Sequence, residues 1–204
     1  MVRELVLATQ NKDKLRELHR LMTGSPVRVR SLAEFPKSPA VVENGKTFEA
    51  NAEKKARIYS KRTRALVLAD DSGLSVRALG GRPGVYSARF AGPRCSYDDN
   101  NRKLLRLLRT VAWPKRRATF VCAISVFDHG KKIGTVRGEC DGHINYMERG
   151  AEGFGYDPVF VPKGSAKTYE ELSALEKNRI SHRGKALQKA KRVILKHLVR
   201  KQSQ

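Results

Sequence analysis

Cysteine is scarce in this chain, and so are long apolar runs. The three cysteines, Cys95, Cys122 and Cys140, are widely spaced and form no CxxC pair, which argues against a disulfide framework or a structural metal site and indicates reduced thiols. No apolar run approaches the roughly 20 residues that a membrane helix needs, and the N-terminal residues lack the apolar stretch of a signal peptide. We therefore expect a soluble cytoplasmic protein with no membrane partner.

Acidic residues are also few. The chain has 20 Asp and Glu against 42 Lys and Arg, which gives a net charge of +22. This imbalance favours nucleic acid, anionic surfaces or phosphorylated small molecules as partners, without choosing among them. The positive charge is densest from Lys177 to Gln204. From Lys189 onward we interpret it as the solvated face of an amphipathic helix, because apolar residues recur there at helical spacing.

The hydrophobic pattern alternates strands with helices and predicts a mixed α/β sheet in one domain, residues 1–204. At 204 residues with 40% hydrophobic composition, the chain can bury a sizeable core. Within the helix predicted near 96–111, we expect Leu104, Leu105, Leu107, Leu108 and Val111 to point inward. The predicted strands are 4–8, 66–69, 118–127 and 131–139, and the predicted helices are 11–22, 48–59, 96–111, 168–179 and 184–200.

Two adjacent aspartates follow the apolar run Leu66–Ala69. Asp70 and Asp71 lead directly into Ser72-Gly73, which predicts a buried strand that ends in a tight turn. Open α/β proteins bind ligands beyond the carboxyl ends of such strands, and alternation along the strand sends the two carboxylates opposite ways. A carboxylate there can hold Mg²⁺, accept a proton from water, or do both. A solvated turn explains these few residues equally well.

Three other segments carry candidates for phosphate or metal. Residues 9–14 connect the first strand to a helix, whose free N–H groups suit phosphate, although a simple N-cap explains them equally and no Walker A pattern is present. Glu43 lies in the loop before the second helix, Lys55 lies in that helix, and Glu43 can share Mg²⁺ with Asp71. For Glu43 alone, a solvated loop acid is the simpler interpretation.

Two later segments suit a nucleobase. In Gly153–Pro158, an aromatic ring between glycines can lie against a base, and an aspartate can accept hydrogen bonds from ring N–H groups; a glycine-driven turn with Phe154 in the core is the alternative. Lys177 and the run Ser181–Gly184 precede the last predicted helix. His182 and Arg183 can donate to a carbonyl oxygen of a base, although capping alone explains His182 at least as well.

Taken together, these segments resemble the inosine triphosphate pyrophosphatase family, which acts on non-canonical purine nucleoside triphosphates. The resemblance covers nearly the whole chain. The motif blocks that carry it are specific for the family in combination, whereas no single block is. The blocks are LATQNKDKLREL (7–18), TFEANAEKKA (47–56), LADDSGLSVRALGGRPGVYSARFAG (68–92), GFGYDPVF (153–160) and EKNRISHRGKAL (176–187).

The resemblance implies an elongated mixed sheet flanked by helices, two lobes with a central substrate cleft, and a homodimer. It implies Mg²⁺-dependent hydrolysis of ITP, dITP or XTP to the monophosphate and pyrophosphate by attack of water on the α-phosphorus. Asp71 matches the proton acceptor, and Glu43 and Asp71 match the metal ligands. The implied substrate-binding residues are Thr9, Gln10, Asn11, Lys12, Asp13, Lys14, Lys55, Ser72, Phe154, Gly155, Tyr156, Asp157, Lys177, His182 and Arg183.

One position departs from the family pattern. Many relatives have Glu-Asn-Ala in the second helix, whereas this chain has Ala50-Asn51-Ala52 with Glu49 shifted by one residue. The shift turns the side chain away around the helix, so we expect Glu49 not to replace the missing carboxylate. Two other functions stay open: a pyrophosphatase for modified pyrimidines or other nucleotides, and a basic nucleic-acid-binding protein. The charge leaves nucleic-acid binding open as a side activity rather than the main role.

Overall fold

The computed structural model describes residues 3–9, 12–35, 40–150 and 154–202. Among these residues, no helix is long and apolar enough to cross a membrane. The strands are β1 (Arg3–Leu7), β2 (Val27–Ser31), β3 (Leu66–Val76), β4 (Arg117–Asp128), β5 (Lys131–Ile144) and β6 (Phe160–Pro162); the helices are α1 (Lys12–Met22), α2 (Phe48–Thr63), α3 (Tyr97–Leu107), α4 (Ala174–Ile180) and α5 (His182–Gln202).

The strands form one mixed sheet in the order β2-β1-β3-β4-β5-β6. β1 pairs in parallel with both β2 and β3, and its residues Leu5, Val6 and Leu7 are buried, as expected for a parallel strand that is covered on both faces. β4 and β5 form a hairpin through His129-Gly130, where both residues have positive φ. β5 pairs antiparallel with β6. The prediction of a mixed α/β sheet with flanking helices is confirmed.

By its contacts the chain divides into two compact units. Unit 1 contains residues 1–71, 123–137 and 186–204. Its core joins β1, α2, β3 and β4 through side chains such as Val6, Ala56, Tyr59 and Val67. Thr47 caps α2, because its hydroxyl accepts a hydrogen bond from the Ala50 N–H at 3.1 Å.

Unit 2 contains residues 72–122 and 138–185. Its core includes Leu74, Leu104, Phe120 and Tyr169. Arg116 is also buried, and its guanidinium donates to the backbone oxygens of Leu108 at 2.6 Å, Ile144 at 2.7 Å and Asn145 at 2.6 Å. These bonds satisfy a buried cation without a carboxylate and tie the end of α3 to the end of β5.

The predicted turn after Ala69 is wrong, because β3 continues through the two aspartates to Val76. Asp70 and Asp71 both find side-chain partners within unit 1, so an extended backbone satisfies them without a turn. Burial resumes at Leu74 and Val76. Strand β2 was not predicted, although Val27 and Val29 alternate with exposed Arg28 in the pattern of a half-buried strand.

The predicted helix boundaries also need correction. α4 begins at Ala174 rather than at 168, because Ser173 and Glu176 form a capping box there. α5 begins at His182 rather than at 184, so His182 and Arg183 lie in its first turn and not before it. Helix α3 ends at Leu107, which is 39% exposed rather than directed inward. The inward placement of Leu104 and Leu108 is confirmed, since both are fully buried.

Candidate functional site

Unit 1 gathers carboxylates and lysines from four separate segments. α1 supplies Lys14, the loop before α2 supplies Glu43, and β3 supplies Asp70 and Asp71. α2 supplies Asn51 and Lys55, which lie four residues apart and therefore share one face of the helix. We call Lys14, Glu43, Asn51, Lys55, Asp70 and Asp71 the acid–lysine cluster.

Asp70 is buried and binds the cation at the start of α1. Its Oδ2 accepts from Lys14 Nζ at 2.6 Å, and its backbone oxygen accepts from Lys55 Nζ at 2.5 Å. The Lys14 side chain keeps 22% of its surface exposed, so it connects the buried carboxylate to the protein surface.

Asp71 accepts a hydrogen bond from an uncharged amide. Its Oδ2 lies 2.8 Å from Asn51 Nδ2. Burial raises the pKa of Asp71 to about 6, the Asn51 hydrogen bond and the Lys55 charge oppose the rise, and the charges of Glu43 and Asp70 add to it. A carboxyl with such a pKa can accept a proton from water near neutral pH.

Lys55 and Asn51 hold the loop that carries Glu43. Lys55 Nζ lies 3.1 Å from Glu43 Oε2, and the Gly45 N–H donates to Asn51 Oδ1 at 2.7 Å. Asn51 is 1% exposed, and a Cβ on Gly45 would stand only 2.7 Å from its Oδ1. Burial lowers the pKa of Lys55, but the charges of Asp70, Glu43 and Asp71 outweigh it and leave that pKa raised.

The donors of this cluster suit a hard cation. Three carboxylates (Glu43, Asp70, Asp71) and two ammonium groups (Lys14, Lys55) give it a formal charge of 2 − 3 = −1. In the described part of the chain, no group of three or more His, Cys, Asp or Glu residues could hold a metal ion by itself. Such a donor set fits Mg²⁺, which commonly binds one or two carboxylates and completes its shell with water and phosphate oxygens.

The rest of the predicted phosphate loop is described only in part. Thr9 is half-buried just after β1, and its N–H donates to the Leu7 oxygen at 2.8 Å. Gln10 and Asn11 lie outside the described residues, and for Lys12 and Asp13 the structure describes the backbone at the start of α1 but not the side chains. Ser72 lies half-buried within β3 rather than in a turn.

Unit 2 gathers the residues predicted to bind a base. Lys177 Nζ lies 4.9 Å from the ring centre of Phe154, and the Arg183 guanidinium carbon lies 5.6 Å from the same centre. Lys177 also forms an ion pair with the buried Asp157. We call Phe154, Asp157, Lys177, His182 and Arg183 the aromatic–cation cluster.

Packing fixes the His182 ring in this cluster. The His182 ring is 5% exposed and stacks on Phe120, with centroids 4.6 Å apart and planes 7° apart. Burial raises the pKa of the Asp157 carboxyl, while the Lys177 ammonium draws it back down. The arrangement leaves a half-buried phenyl ring flanked by an ammonium and a guanidinium group, which suits a flat, polar, electron-rich ring.

Tyr156 and Gly155 lie outside the aromatic–cation cluster. The Tyr156 ring packs in the core of unit 2, and its hydroxyl donates to the Ser87 oxygen at 2.9 Å. Gly155 has a φ of +67°, and its backbone oxygen accepts from Asn101 Nδ2 at 3.0 Å. Both residues therefore fix the loop that carries Phe154 rather than adding a side chain to the cluster.

Sequence reasoning overlooked Asn51 and Phe120. Asn51 stands four residues before Lys55, which is a signal for a shared helix face, but nothing local says that its amide reaches β3. Phe120 reads as an ordinary strand residue, and only the packing of α5 brings His182 onto its ring. Next to Ala50, the position that departs from the family pattern, Glu49 accepts from Arg137 Nη1 at 2.8 Å.

Comparison with known proteins agrees with these motifs. Residues 5–193 match the family model of the Ham1 family. The dITP/XTP pyrophosphatase of Caldanaerobacter subterraneus subsp. tengcongensis is 48% identical over 195 residues, which is 95% of this chain and 97% of that protein. The dITP/XTP pyrophosphatase of Geobacter sulfurreducens is 49% identical over 183 residues, 90% of this chain and 92% of that protein.

Solved structures show the same fold. The HAM1 protein from Coxiella burnetii superimposes with a TM-score of 0.87 at 37% identity, covering 95% of this chain and 99% of that one. The nucleoside-triphosphatase / dITP/XTP pyrophosphatase from Mycobacterium abscessus gives 0.77 at 40% identity, covering 92% and 98%. The resemblance inferred from the motifs is confirmed.

Proposed function

The chain belongs to the Ham1 family, and from that premise we propose that it hydrolyses dITP, ITP and XTP to the monophosphate and pyrophosphate. The observation that carries the proposal is the placement of Asp71, whose carboxylate is held by Asn51 at 2.8 Å in a cluster with Glu43 and two lysines. The names of the relatives support the choice of substrate. Removal of such nucleotides from the pool is the role that follows.

The acid–lysine cluster supplies what the phosphates need. Phosphoryl transfer depends mostly on positioning and on stabilising charge, and Lys14 and Lys55 bring two ammonium groups to the triphosphate. Water attacks the α-phosphorus, the bond to the bridging oxygen breaks, and pyrophosphate leaves. Asp71 accepts the proton of the attacking water.

We assign Glu43 and Asp71 as the ligands of Mg²⁺. When bound, the metal would neutralise charge on the phosphate oxygens and on the leaving pyrophosphate. Lys55 holds Glu43 at 3.1 Å, which keeps that carboxylate on the same side as Asp71. Replacing Glu43 with Gln should raise the Mg²⁺ concentration needed for half-maximal turnover and weaken Mg²⁺ binding measured by calorimetry without substrate.

The aromatic–cation cluster supplies what the base needs. Phe154 offers a ring face for stacking, and Lys177 and Arg183 are donors beside it. Donors favour the 6-oxo group of hypoxanthine and xanthine, whereas adenine presents an amino group there and would leave donors facing donors. Selection against adenine follows from this mismatch.

The experiment is a pyrophosphate-release assay across dITP, ITP, XTP, dATP, dGTP and modified pyrimidine triphosphates. We expect the highest kcat/KM with dITP, ITP or XTP, with pyrophosphate and not orthophosphate as product. Faster turnover of a modified pyrimidine would reassign the substrate class, and orthophosphate as product would reject the reaction. No turnover together with salt-sensitive binding of duplex DNA would favour a nucleic-acid-binding protein.

A cytoplasmic homodimer belongs to the same proposal. Such an enzyme acts on the pool of nucleoside triphosphates that feeds nucleic-acid synthesis. This substrate pool favours a cytoplasmic location. Light scattering on the purified chain tests the oligomeric state: a mass near twice 22.9 kDa supports the dimer, and a mass near 22.9 kDa rejects it.

A further inference from the structure

Unit 2 carries a pocket that shares no residue with either cluster. It has a volume of about 750 Å³ and is open to solvent on one side. Charged and polar side chains line it together with glycine and alanine residues, and all of them lie on or next to four strands. Ligand pockets commonly have volumes of ~300–1,000 Å³. The lining residues that matter here are Arg77, Arg117, Thr119, Asp141, His143 and Lys163, and we call this feature the basic pocket.

Strand alternation builds the wall of the basic pocket. On β4, Arg117 and Thr119 point outward while Ala118 and Phe120 belong to the core of unit 2. On β5, Asp141 and His143 likewise alternate with the core residues Cys140 and Ile144.

The ends of two other strands close the wall. Lys163 follows β6, and its N–H donates to the Asp141 oxygen at 2.9 Å. Arg77 follows β3, just before the Gly80-Gly81 turn. The side chains are therefore presented by sheet and by short connections that the sheet holds.

The basic pocket has an excess of positive charge. Arg77, Arg117 and Lys163 face one carboxylate, Asp141, which already accepts from the Thr119 hydroxyl at 2.7 Å. Within the described residues, none of the three cations has an acidic side chain within ion-pairing distance. Three cations against one acid leave a formal charge of 3 − 1 = +2 around one cavity, and a bound anion would offset the repulsion between the cations.

An aromatic face adjoins these charges. Trp113 stacks on His143, with ring centroids 5.0 Å apart and planes 14° apart. Burial, with the Arg117 charge as a smaller cause, lowers the pKa of His143, so the imidazole that lines the pocket is neutral at neutral pH. The Trp113 ring is 37% exposed, which leaves a flat surface beside the pocket.

We propose that the basic pocket binds a small polyphosphate anion through Arg77, Arg117 and Lys163. Guanidinium groups match phosphate oxygens in pairs, and an ammonium group adds a compact charge. Free pyrophosphate and a nucleoside diphosphate share this chemistry, and the Trp113–His143 pair would add stacking only for the nucleotide. A concave pocket favours such a ligand over the backbone of a nucleic-acid duplex.

Trp113 is the only tryptophan in the chain, so its fluorescence reports on this pocket. The full-length protein is titrated with inorganic pyrophosphate and with ADP, and equilibrium dialysis with labelled ligand measures the stoichiometry. The Lys14→Ala variant is included to weaken binding at the proposed reaction site. We expect the fluorescence change to persist in Lys14→Ala, and tighter binding of ADP than of pyrophosphate would identify a nucleotide as the ligand.

The decisive variant is the double substitution Arg77→Gln/Arg117→Gln. We expect it to weaken pyrophosphate binding at least tenfold while dITP turnover stays within twofold. The matched control is Arg106→Gln/Arg109→Gln, which removes two exposed arginines of unit 2 away from the pocket and should change neither. If a thermal melt shows that the double variant is not folded, Lys163→Gln is the second variant, and we expect it to weaken pyrophosphate binding as well.

Three results would overturn the proposal. The first is equal weakening by the control pair, which would show only a response to net charge. The second is loss of the fluorescence change in Lys14→Ala, which would place the signal at the reaction site. The third is displacement of pyrophosphate by a short DNA duplex that binds more tightly than ADP and depends on the same side chains. That result would show that this surface is a nucleic-acid interface. None of these depends on the proposed reaction.

Discussion

Both clusters contain ion pairs between a lysine and a carboxylate, and they differ in the contacts around those pairs. The acid–lysine cluster contains two ion pairs: the Lys14 and Asp70 side chains are 22% and 7% exposed, and those of Lys55 and Glu43 are 13% and 35% exposed. In the aromatic–cation cluster, His182 and Asp157 are 5% and 3% exposed, and ring stacking fixes His182 on Phe120.

This difference suits the two parts of a nucleotide. Lys14 and Glu43 are partly exposed, so each ion pair of the acid–lysine cluster has one partner that can move toward a phosphate oxygen or a metal ion. A buried, packed cluster keeps its shape, and a fixed arrangement of donors is what discrimination between bases requires. We therefore expect substitutions in unit 1 to act mainly on kcat and substitutions in unit 2 mainly on KM.

The largest expected effect is that of Asp71→Asn. Because the variant keeps the shape but loses the proton acceptor, we expect kcat for dITP to fall by roughly 10²–10⁴-fold, with an unchanged far-UV circular dichroism spectrum. Asp98→Asn, an exposed position on α3, is the control and should keep full turnover. Near-normal turnover of Asp71→Asn would show that another group accepts the proton.

Asn51→Ala should give the next largest effect. It removes the amide from Asp71 and the acceptor from the Gly45 N–H, so we expect a roughly 10–100-fold loss of kcat together with ~1–3 kcal/mol of stability. Asn100→Ala is a matched control in unit 2, because Asn100 is also 1% exposed and accepts from the Ala91 N–H at 2.7 Å.

The two asparagine variants separate positioning from folding. We expect a similar loss of stability in both, measured by urea unfolding, and a loss of kcat in Asn51→Ala alone. Equal losses of kcat would mean that Asn51 acts through general stability, and the contrast between the two units would weaken.

Phe154→Ala should act on binding. Removing a ring that stacks on a base costs about 1–3 kcal/mol, so we expect KM for dITP to rise roughly tenfold with kcat nearly unchanged. Tyr86→Ala, which removes a 58% exposed ring in the same unit, should leave KM as it is. A fall in kcat without a change in KM would place Phe154 on the reaction side of the comparison.

The smallest effect is expected for Tyr156→Phe. The substitution removes the hydrogen bond to the Ser87 oxygen and keeps the ring, so we expect a loss of about 1 kcal/mol in the free energy of unfolding and unchanged kinetics with dITP. A change in the ratio of kcat/KM for dITP over dATP would mean that the hydroxyl takes part in recognition after all.

Sequence pattern was sufficient for much of this architecture. The apolar spacing of α3 and β4 predicted elements that the structure confirms, because the helix and strand periods are local properties of the sequence. The motif blocks identified the family, because their residue types and order can be recognised in the sequence without knowledge of contacts. The boundaries of α4 and α5 and the course of β3 were missed, because capping boxes and partners across the chain decide where an element stops.

The contacts that make the clusters came only from the tertiary structure. Residues 20 positions apart, such as Asn51 and Asp71, and 56 positions apart, such as Lys14 and Asp70, meet through hydrogen bonds that no local pattern encodes. The same holds for the basic pocket, whose cations follow or begin three different strands. The sequence by itself identifies which chemical groups are present and how each segment is shaped, whereas pairing across the sheet decides which groups lie within reach of one another.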